Sequence, residues 1–365
     1  MLSPEFLTKL YRGIKSRRPK ALAIKVMQLL GMRYLVIRID TTNLCNLRCR
    51  MCYYSAEKHR KRIEMDMSLF EKIAKEIFPH TKFLYLSCAT EPLMNRNFAN
   101  FLKCVGKYDV PFTSFCTNGM LLDENIIVES INSRISEIIF SVDGATPETY
   151  EYIRRGASWD TLLDKLELLK SMKERARSTL PVVRINFTCM KRNIEELPAM
   201  MKFAADHGVS NVHVRHLLAF DSTDDEMLSD EQMEYRKVFN EIARKTRAEA
   251  DRLGIKLFLP DVVPEKTKQL NDGADSSKPK RREANPYCMI PWFEGIITPA
   301  GDYRLCSAFP PFGNLKEQSF EEIYNSPRMQ ELRRKLLQRS PDACSWTCRQ
   351  EAYDVEPVEN NDNSV

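Results

Sequence analysis

Short apolar strands alternate with helical segments along most of this 365-residue chain. Six strands are predicted, at residues 34–40, 82–87, 111–117, 135–142, 182–188 and 211–217. Helices are predicted at 66–78, 97–108, 122–132, 146–153, 158–176, 193–206 and 229–253. Repeated strand–helix units of this kind build a parallel sheet with helices on its outside. Six units are too few for a closed eight-stranded barrel, so we expect an α/β fold with an open, partial (β/α)6 TIM-like barrel.

The composition changes after this strand–helix body. Residues 271–286 are polar, contain Pro and Gly and lack periodicity, which is typical of a linker. Residues 354–365 are acidic and rich in Asn, which indicates a frayed end. The predicted parts are a basic helical segment (1–33), the barrel (34–260), a linker (261–286), a small cysteine-rich domain (287–350) and a disordered acidic tail (351–365).

Charge and hydropathy argue against several classes of protein. The net charge of +5 arises from residues 1–33, which carry +7, so the rest of the chain is slightly acidic. A basic body that binds nucleic acid is therefore not expected. The sequence has no run of eighteen apolar residues and no signal-peptide core, which predicts a cytoplasmic protein. Eleven cysteines in a reducing compartment indicate metal ligation and not disulfides.

The basic segment at residues 1–33 has a helical apolar pattern among its lysines and arginines. Its apolar residues at helical spacing are Phe6, Leu7, Leu10, Tyr11 and Ile14. One interpretation is a helix that packs on the main domain and keeps its cations in solvent. The alternative is a helix that makes a peripheral contact with an anionic membrane surface or with a partner.

Three cysteines stand within eight residues, a few positions after the first predicted strand. Cys45, Cys49 and Cys52 have the spacing C-x3-C-x2-C, which lets one loop wrap three thiolates around a cubane iron–sulfur cluster. With no fourth cysteine nearby, one iron keeps an open coordination site, and an open site indicates catalysis. The alternatives are a zinc knuckle and buried thiols at chance spacing, although zinc sites usually pair two separated C-x2-C units.

The sequence CNLRCRMC at residues 45–52 resembles the signature of the radical S-adenosylmethionine (SAM) superfamily, in particular its branch with a C-terminal SPASM or twitch domain. The resemblance implies that Cys45, Cys49 and Cys52 hold a [4Fe–4S] cluster whose fourth iron binds SAM. It also implies a reductant such as flavodoxin or ferredoxin. Reductive cleavage then yields methionine and a 5′-deoxyadenosyl radical that abstracts hydrogen from a C–H bond.

The same resemblance implies a set of SAM-binding residues at the carboxyl ends of the strands, where a barrel has its site. They are Ala89, Thr90, Glu91, Asn118, Ser141, Asp143, Arg154 and Asn186. Ala89 and Thr90 stand where glycine is usual in the family, in a segment whose backbone receives the amino group of SAM. Arg154 is expected near the carboxylate of SAM, because a guanidinium offers a planar fork of donors. His216, which alternation turns toward the cavity, is a weak catalytic candidate and more simply a hydrogen-bonded wall residue.

A second group of cysteines, near the C-terminus, resembles a SPASM or twitch domain. The motifs are CMIPW at 288–292, GDYRLC at 301–306, GNL at 313–315 and CSWTC at 344–348. The resemblance implies one auxiliary [4Fe–4S] cluster on Cys288, Cys306, Cys344 and Cys348. A zinc ribbon is the alternative. The remaining cysteines are interpreted as buried small hydrophobes, and they are Cys88, Cys104, Cys116 and Cys189.

The predicted function is that of a radical SAM oxidoreductase or maturase that oxidatively modifies a peptide or protein. The resemblance implies that the auxiliary cluster takes an electron from the substrate, or else only supports the fold. About 33 residues precede the first strand, too few for a separate peptide-recognition domain. The alternative is therefore dehydrogenation or epimerisation of a sugar, a cyclitol or a lipid-linked small molecule. A further alternative is a non-catalytic binding protein whose fold is stabilised by zinc.

Overall fold

The computed structural model describes residues 17–56, 61–87, 89–217, 233–260, 288–306, 309–338, 340 and 343. Its strands are β1 (Leu35–Ile39), β2 (Thr81–Leu86), β3 (Phe112–Thr117), β4 (Glu137–Ser141), β5 (Val182–Cys189), β6 (Asn211–His216), β7 (Lys256–Phe258), β8 (Glu294–Ile297), β9 (Asp302–Arg304) and β10 (Gly313–Asn314). They form one sheet in the order β10-β9-β8-β1-β2-β3-β4-β5-β6-β7. The strands from β1 to β7 are parallel, β8 pairs in parallel with β1, and β9 and β10 are antiparallel additions.

Helices connect the parallel strands and cover one face of the sheet. Within the described ranges they are α1 (Arg17–Leu29), α2 (Tyr53–Ala56), α3 (Met67–Ile77), α4 (Phe98–Val105), α5 (Glu124–Asn132), α6 (Pro147–Ile153), α7 (Trp159–Arg175), α8 (Leu197–Asp206), α9 (Met233–Leu253), α10 (Ile290–Phe293), α11 (Phe320–Tyr324) and α12 (Pro327–Leu337). Several begin at a capping side chain: Asp66, Asp123, Thr146 and Ser158 each accept a hydrogen bond from the backbone N–H three residues later.

The two faces of the sheet differ in chemistry. One residue in two along each strand packs with the helices in a single apolar core, as do Ile185 and Phe187 of β5 and Val212 and Val214 of β6. The residues between them, such as Asn186, point to the opposite face because side chains alternate along a strand. This opposite face, here called the inner face, carries the polar side chains of the barrel.

The predicted fold class is confirmed, and each of the six predicted strands begins and ends within two residues of its predicted bounds. Four strands, β7 to β10, were not predicted. The short β7 extends the parallel sheet beyond β6, and β8 pairs beside β1 at the other side. The division of the chain into five parts stays a prediction.

The segment that begins at residue 288 is built onto the first strand of the barrel. β8 pairs with β1 so that Val36 lies opposite Glu294 and Ile39 lies opposite Ile297. The side chain of Arg38 reaches across this pair to Glu294, with 3.1 Å between Nε and Oε1. This segment therefore shares one sheet with the strand that leads into the cysteine loop.

α1 packs against the main body, as the first interpretation of the basic segment expects. Ala21 and Ile24 are buried, and the Gln28 amide donates a hydrogen bond to the hydroxyl of Tyr324 on α11. The apolar positions at 6–14 lie outside the described residues. Among the helices of the described ranges, none is both long and apolar enough to cross a membrane.

Gly295 of β8 is predicted to be intolerant of a side chain. A Cβ atom there would overlap the ring of Tyr303, which is fully buried on β9. We expect Gly295→Ala to lower the free energy of unfolding by about 3 kcal/mol, because a packed core resists overfilling. Gly254 is the matched control, since it has a φ of +69° but nothing near its Cβ position. Gly254→Ala should cost only about 1 kcal/mol, and equal effects in urea denaturation would contradict the prediction.

Candidate active site

The cysteine loop follows the carboxyl end of β1 and rests on the end of α6. The backbone N–H of Arg48 donates to the carbonyl of Arg155, and that of Arg50 donates to the carbonyl of Ile153, both at 2.9 Å. These two bonds hold the middle of the loop against the chain that leaves α6. The path of the segment that carries the three cysteines is therefore fixed by the barrel.

Hydrogen-bond donors surround two sulfur atoms of this loop. The backbone N–H of Leu47 and the side-chain amide of Asn118 approach Cys45 Sγ at 3.5 Å and 3.9 Å. Arg154 Nη1 lies 4.0 Å from Cys49 Sγ. Donors in these positions stabilise sulfur that carries negative charge, as the thiolate ligands of iron do.

Burial is the main effect that opposes ionisation of these two thiols, and nearby negative charges add to it. It raises the pKa of Cys49 to about 11 against the lowering effect of Arg154, and it also raises the pKa of Cys45. Bound iron would offset this effect with its positive charge. In the described ranges, no three ligating side chains converge on a point that would hold a single metal ion. A cubane offers a separate iron to each thiolate, which is the arrangement that the three-cysteine motif predicts.

Arg154, which directly follows α6, forms a buried ion pair with Asp143. Its Nη2 lies 2.6 Å from Oδ2 of Asp143, whose other oxygen accepts the backbone N–H of Thr188 at 2.6 Å. Burial acts to lower the pKa of Arg154, but the carboxylate of Asp143 raises it, so the guanidinium stays charged. One guanidinium therefore joins a buried carboxylate to the sulfur of Cys49.

Glu91 is buried, and its carboxylate ties together the loops that follow β2 and β3. It accepts hydrogen bonds from the backbone N–H of Asn118 at 2.7 Å, the Thr117 hydroxyl at 2.8 Å and the backbone N–H of Leu93 at 3.2 Å. Its own N–H donates to the carbonyl of Leu44, next to the cysteine loop. The carboxylate of Glu91, a predicted SAM-binding residue, therefore accepts its hydrogen bonds from other parts of the protein.

The loop after β2 contains the predicted positions Ala89 and Thr90. Ser87 begins it with a φ of 108°, a conformation that non-glycine residues rarely adopt and that is common near active sites. The Ser87 hydroxyl donates to the carbonyl of Thr90, and the Thr90 hydroxyl donates to the carbonyl of Thr42 at 2.6 Å. The extra bulk of Thr90 is therefore turned toward the segment after β1, where it forms a hydrogen bond.

Two further predicted positions, Ser141 and Asn186, are direct neighbours on the inner face. They are paired across β4 and β5, and Asn186 is in turn paired with His213 on β6. Ser141 Oγ lies 3.2 Å from the sulfur of Cys116. Within the described part of the chain, Asn186 Oδ1 and His213 Nε2 are buried and have no hydrogen-bond partner. This row therefore offers polar atoms to a molecule in the barrel.

The expectation that His216 faces the cavity is wrong. Its ring packs on Phe239 of α9, with 4.7 Å between ring centroids, on the helix side of the sheet. Side chains alternate between the two faces of a strand, and His216 lies two and four residues after the core residues Val214 and Val212. It therefore points to the same face as they do. The histidine of β6 on the inner face is His213. A catalytic role for His216 is not tested by this placement.

The remaining cysteines separate into two groups. Cys104 and Cys189 are buried in the apolar core, which confirms the interpretation of both as small hydrophobes. The interpretation is wrong for Cys116, which is half-buried beside Ser141 on the inner face. Cys88 lies outside the described residues.

One ion pair on the inner face was not predicted from the sequence. Arg184 Nη1 lies 2.9 Å from Oε2 of Glu137, and both side chains are about nine-tenths buried or more. Arg184 stands two residues before Asn186 and therefore shares its face. An arginine inside the apolar run of β5 is the signal that would have indicated it, since charges are rarely buried in strands without a partner.

His213 is predicted to stay neutral at physiological pH. Burial lowers its pKa to about 3, helped by the nearby charges of Arg184 and Arg215. We therefore expect its imidazole resonances to show no titration between about pH 5.5 and 8 by NMR, with His213→Asn used to assign them. A midpoint inside this range would contradict the geometry.

The structure describes two of the four proposed ligands of the auxiliary cluster. Cys288 and Cys306 are half-buried, the first just before α10 and the second just after β9. Cys344 and Cys348 lie outside the described residues. The four-cysteine ligand set therefore stays a prediction.

Comparison with known proteins identifies the class of this chain. Residues 39–204 match the family model of the radical SAM superfamily, and residues 288–349 match SPASM, an iron–sulfur cluster-binding domain. The chain belongs to the radical SAM superfamily. Within it, the chain belongs to the branch with a SPASM domain, whose cofactors are a [4Fe–4S] cluster, SAM and an auxiliary iron–sulfur cluster.

Curated relatives match most of the chain at low identity. The tungsten-containing aldehyde ferredoxin oxidoreductase cofactor-modifying protein of Pyrococcus furiosus is 24% identical over 317 residues, which are 81% of this chain and 82% of that protein. A probable GTP 3′,8-cyclase of Methanocaldococcus jannaschii is 22% identical over 256 residues, 69% of this chain and 78% of the cyclase.

Solved structures share the fold. SuiB of Streptococcus suis bound to S-adenosylmethionine gives a TM-score of 0.62 at 15% identity, over 90% of this chain and 77% of SuiB. The protein anSMEcpe with bound AdoMet gives a TM-score of 0.58 at 14% identity, over 82% of this chain and 79% of that one. At this identity the likeness shows the fold alone, and it confirms the partial TIM-like barrel.

Proposed function

We propose that this radical SAM enzyme is an oxidoreductase or maturase that oxidatively modifies a peptide or protein. Cys45, Cys49 and Cys52 would hold the [4Fe–4S] cluster, which would supply the electron for reductive cleavage of SAM. The observation that supports the cluster-binding part of the proposal is the set of donors near the sulfur atoms, in which Asn118 faces Cys45 and Arg154 faces Cys49. The barrel residues hold these donors and exclude water.

The proposed SAM site keeps the predicted residues and divides their roles. The backbone at Ala89 and Thr90 would receive the amino group of SAM, and Ser141 and Asn186 would face its nucleoside. Arg154 would bind the carboxylate of SAM and also contact the cysteine loop. Two residues act by positioning: Asp143 orients Arg154, and Glu91 holds the loop of Asn118.

The proposed reaction needs a reductant and a second cluster. We propose flavodoxin or ferredoxin as the reductant, and a reducing compartment, the cytoplasm, for the enzyme. Cys288, Cys306, Cys344 and Cys348 would hold the auxiliary cluster, which is suited to accepting an electron from the substrate. The pairing of β8 with β1 supports this arrangement, because it ties the SPASM domain to the strand before the cysteine loop.

A peptide or protein substrate is supported by one solved relative of this fold. The crystal structure of Streptococcus suis SuiB bound to precursor peptide SuiA has a TM-score of 0.61, over 85% of this chain and 69% of SuiB. At least one protein of this fold therefore binds a peptide.

A small-molecule substrate is the second candidate, and the inner face favours it. The buried atoms His213 Nε2 and Arg184 Nε would suit a molecule rich in hydroxyl groups, such as a sugar or cyclitol. The curated relatives also point to small molecules by name, a GTP cyclase and a cofactor-modifying protein.

A deuterium-transfer experiment distinguishes the two candidates. The reconstituted enzyme, SAM and a reductant are incubated with a lysate of the source organism grown in deuterated medium. Hydrogen abstraction from the substrate puts deuterium into 5′-deoxyadenosine, which mass spectrometry detects. We expect this transfer to disappear when the lysate is treated with protease. Transfer that survives protease and passes a dialysis membrane would replace the peptide proposal with the small-molecule one.

A further inference from the structure

α1 exposes an apolar stripe on the side that faces away from the protein. Leu22 is 63% exposed, Val26 40%, Leu29 87% and Leu30 62%. These residues stand at positions i, i+4, i+7 and i+8, which lie on one side of a helix. Leu30 is in the turn that directly follows α1 and continues its pattern, since its N–H donates to the carbonyl of Val26. The three leucines are the most exposed large apolar side chains in the described part of the chain. This set of four residues is called the outer face of α1.

The orientation of the outer face is fixed by contacts on the other side of the helix. Ala21, Ile24 and Met27 are buried against the body of the protein. Gln28 donates hydrogen bonds to the hydroxyls of Tyr34 and Tyr324, at 2.9 Å and 3.0 Å. A helix held in this way cannot roll to bury its leucines, so they remain available to a partner.

The charges carried by α1 itself have a single sign. Arg18 and Lys25 are exposed and flank the leucines along one side of the helix. Residues 17–33 contain no Asp or Glu, and residues 1–16 add Lys9, Arg12 and Lys15 against Glu5 alone. An apolar stripe bordered by cations complements a surface that is apolar beneath and anionic on top, which describes an anionic lipid bilayer.

The location of α1 leaves the active site free. Arg33, just after the helix, donates to the carbonyls of Phe78 and Thr81 at the start of β2 and to that of Tyr108 before β3. α1 therefore lies at the amino ends of the strands, whereas the cysteine loop lies at their carboxyl ends. A contact on the outer face would not cover the site.

We propose that the outer face of α1 docks the protein peripherally onto an anionic membrane surface. Its leucines enter the interfacial layer while Arg18 and Lys25 contact lipid headgroups. A second copy of the chain fits less well, because a symmetric contact would bring these cations against their own counterparts with no acid to offset them. The inference goes beyond the proposed reaction and does not depend on it.

Vesicle co-sedimentation of the full-length protein tests the proposal. We expect binding to phosphatidylcholine vesicles that contain about one third phosphatidylglycerol, little binding to pure phosphatidylcholine, and release as salt rises from about 0.1 M to 0.5 M. The double variant Leu29→Ser/Leu30→Ser should reduce the partition coefficient at least about tenfold. Arg18→Gln/Lys25→Gln should reduce it several-fold and flatten the salt dependence.

Matched controls separate this face from general surface effects. Val128→Ser/Val238→Ser changes two valines that are 40% and 38% exposed on other helices, and Arg244→Gln/Arg247→Gln changes two exposed cations of α9. Both controls should bind like the wild type. Absence of binding, or equal loss in the controls, would overturn the proposal. It would also be overturned if light scattering showed a dimer that Leu29→Ser/Leu30→Ser dissociates while vesicles stay unbound.

Discussion

Replacing Arg154 with methionine should lower the free energy of unfolding by about 3–5 kcal/mol, since it leaves the buried carboxylate of Asp143 without its counter-charge. We also expect 5′-deoxyadenosine release to fall about 10- to 100-fold, because the guanidinium no longer faces Cys49 Sγ. Anaerobic urea denaturation measures the first effect, and chromatography of the reaction products measures the second.

A double variant separates stability from catalysis. Asp143→Asn/Arg154→Met removes both charges but keeps an acceptor for the backbone N–H of Thr188. It should therefore regain most of the lost stability and none of the activity. Arg252→Met is the matched control, since Arg252 pairs with Glu249 at the same 2.6 Å but in solvent. Equal unfolding behaviour of Arg154→Met and Arg252→Met would contradict the role given to the buried pair.

Glu91 makes stability depend on pH in an unusual direction. Burial raises its pKa from 4.5 to about 7, against the lowering effect of its hydrogen bonds. The folded state then binds the proton more tightly than the unfolded state, so the stability from this group is complete below pH 4.5 and lost as pH rises through 7. Between about pH 5.5 and 8 the wild type should lose about 2 kcal/mol that Glu91→Gln does not lose.

Thr117→Val provides the matched comparison for Glu91. It keeps the carboxylate but removes the hydroxyl that donates to Oε1 at 2.8 Å. The pKa of Glu91 should rise further, and the loss of stability with pH should become steeper. Urea denaturation across the pH range gives all three slopes. Parallel curves for the wild type and Glu91→Gln would show that this carboxyl does not titrate as described.

Local patterns predicted the barrel because each parallel strand is an apolar run bounded by a helix. Runs such as that of β5 are long enough to identify from sequence alone. β7 was missed because it has three residues, and β8 because its partner β1 is more than 250 residues away. Pairing between such distant segments depends on the assembled fold, and no local pattern encodes it.

The sequence predicted which residues belong to the candidate site, but it did not predict the contacts between them. Spacing predicted Cys45 and Cys49 as site residues, and the resemblance to the radical SAM superfamily predicted Arg154. The sequence could not show that Arg154 pairs with Asp143. It also could not show that the carboxylate of Glu91 is used to join loops. The expectation that His216 faces the cavity failed because the face on which a residue of β6 lies depends on which of its neighbours enter the core.

The most direct test of the central claim is release of 5′-deoxyadenosine by the anaerobically reconstituted protein with SAM and a strong reductant. We predict release by the wild type, none from Cys45→Ala, Cys49→Ala or Cys52→Ala, and near wild-type release from Cys104→Ala, whose thiol is buried on α4 away from the loop. Iron-loaded wild type that releases none, or a Cys49→Ala variant that still does, would contradict this account.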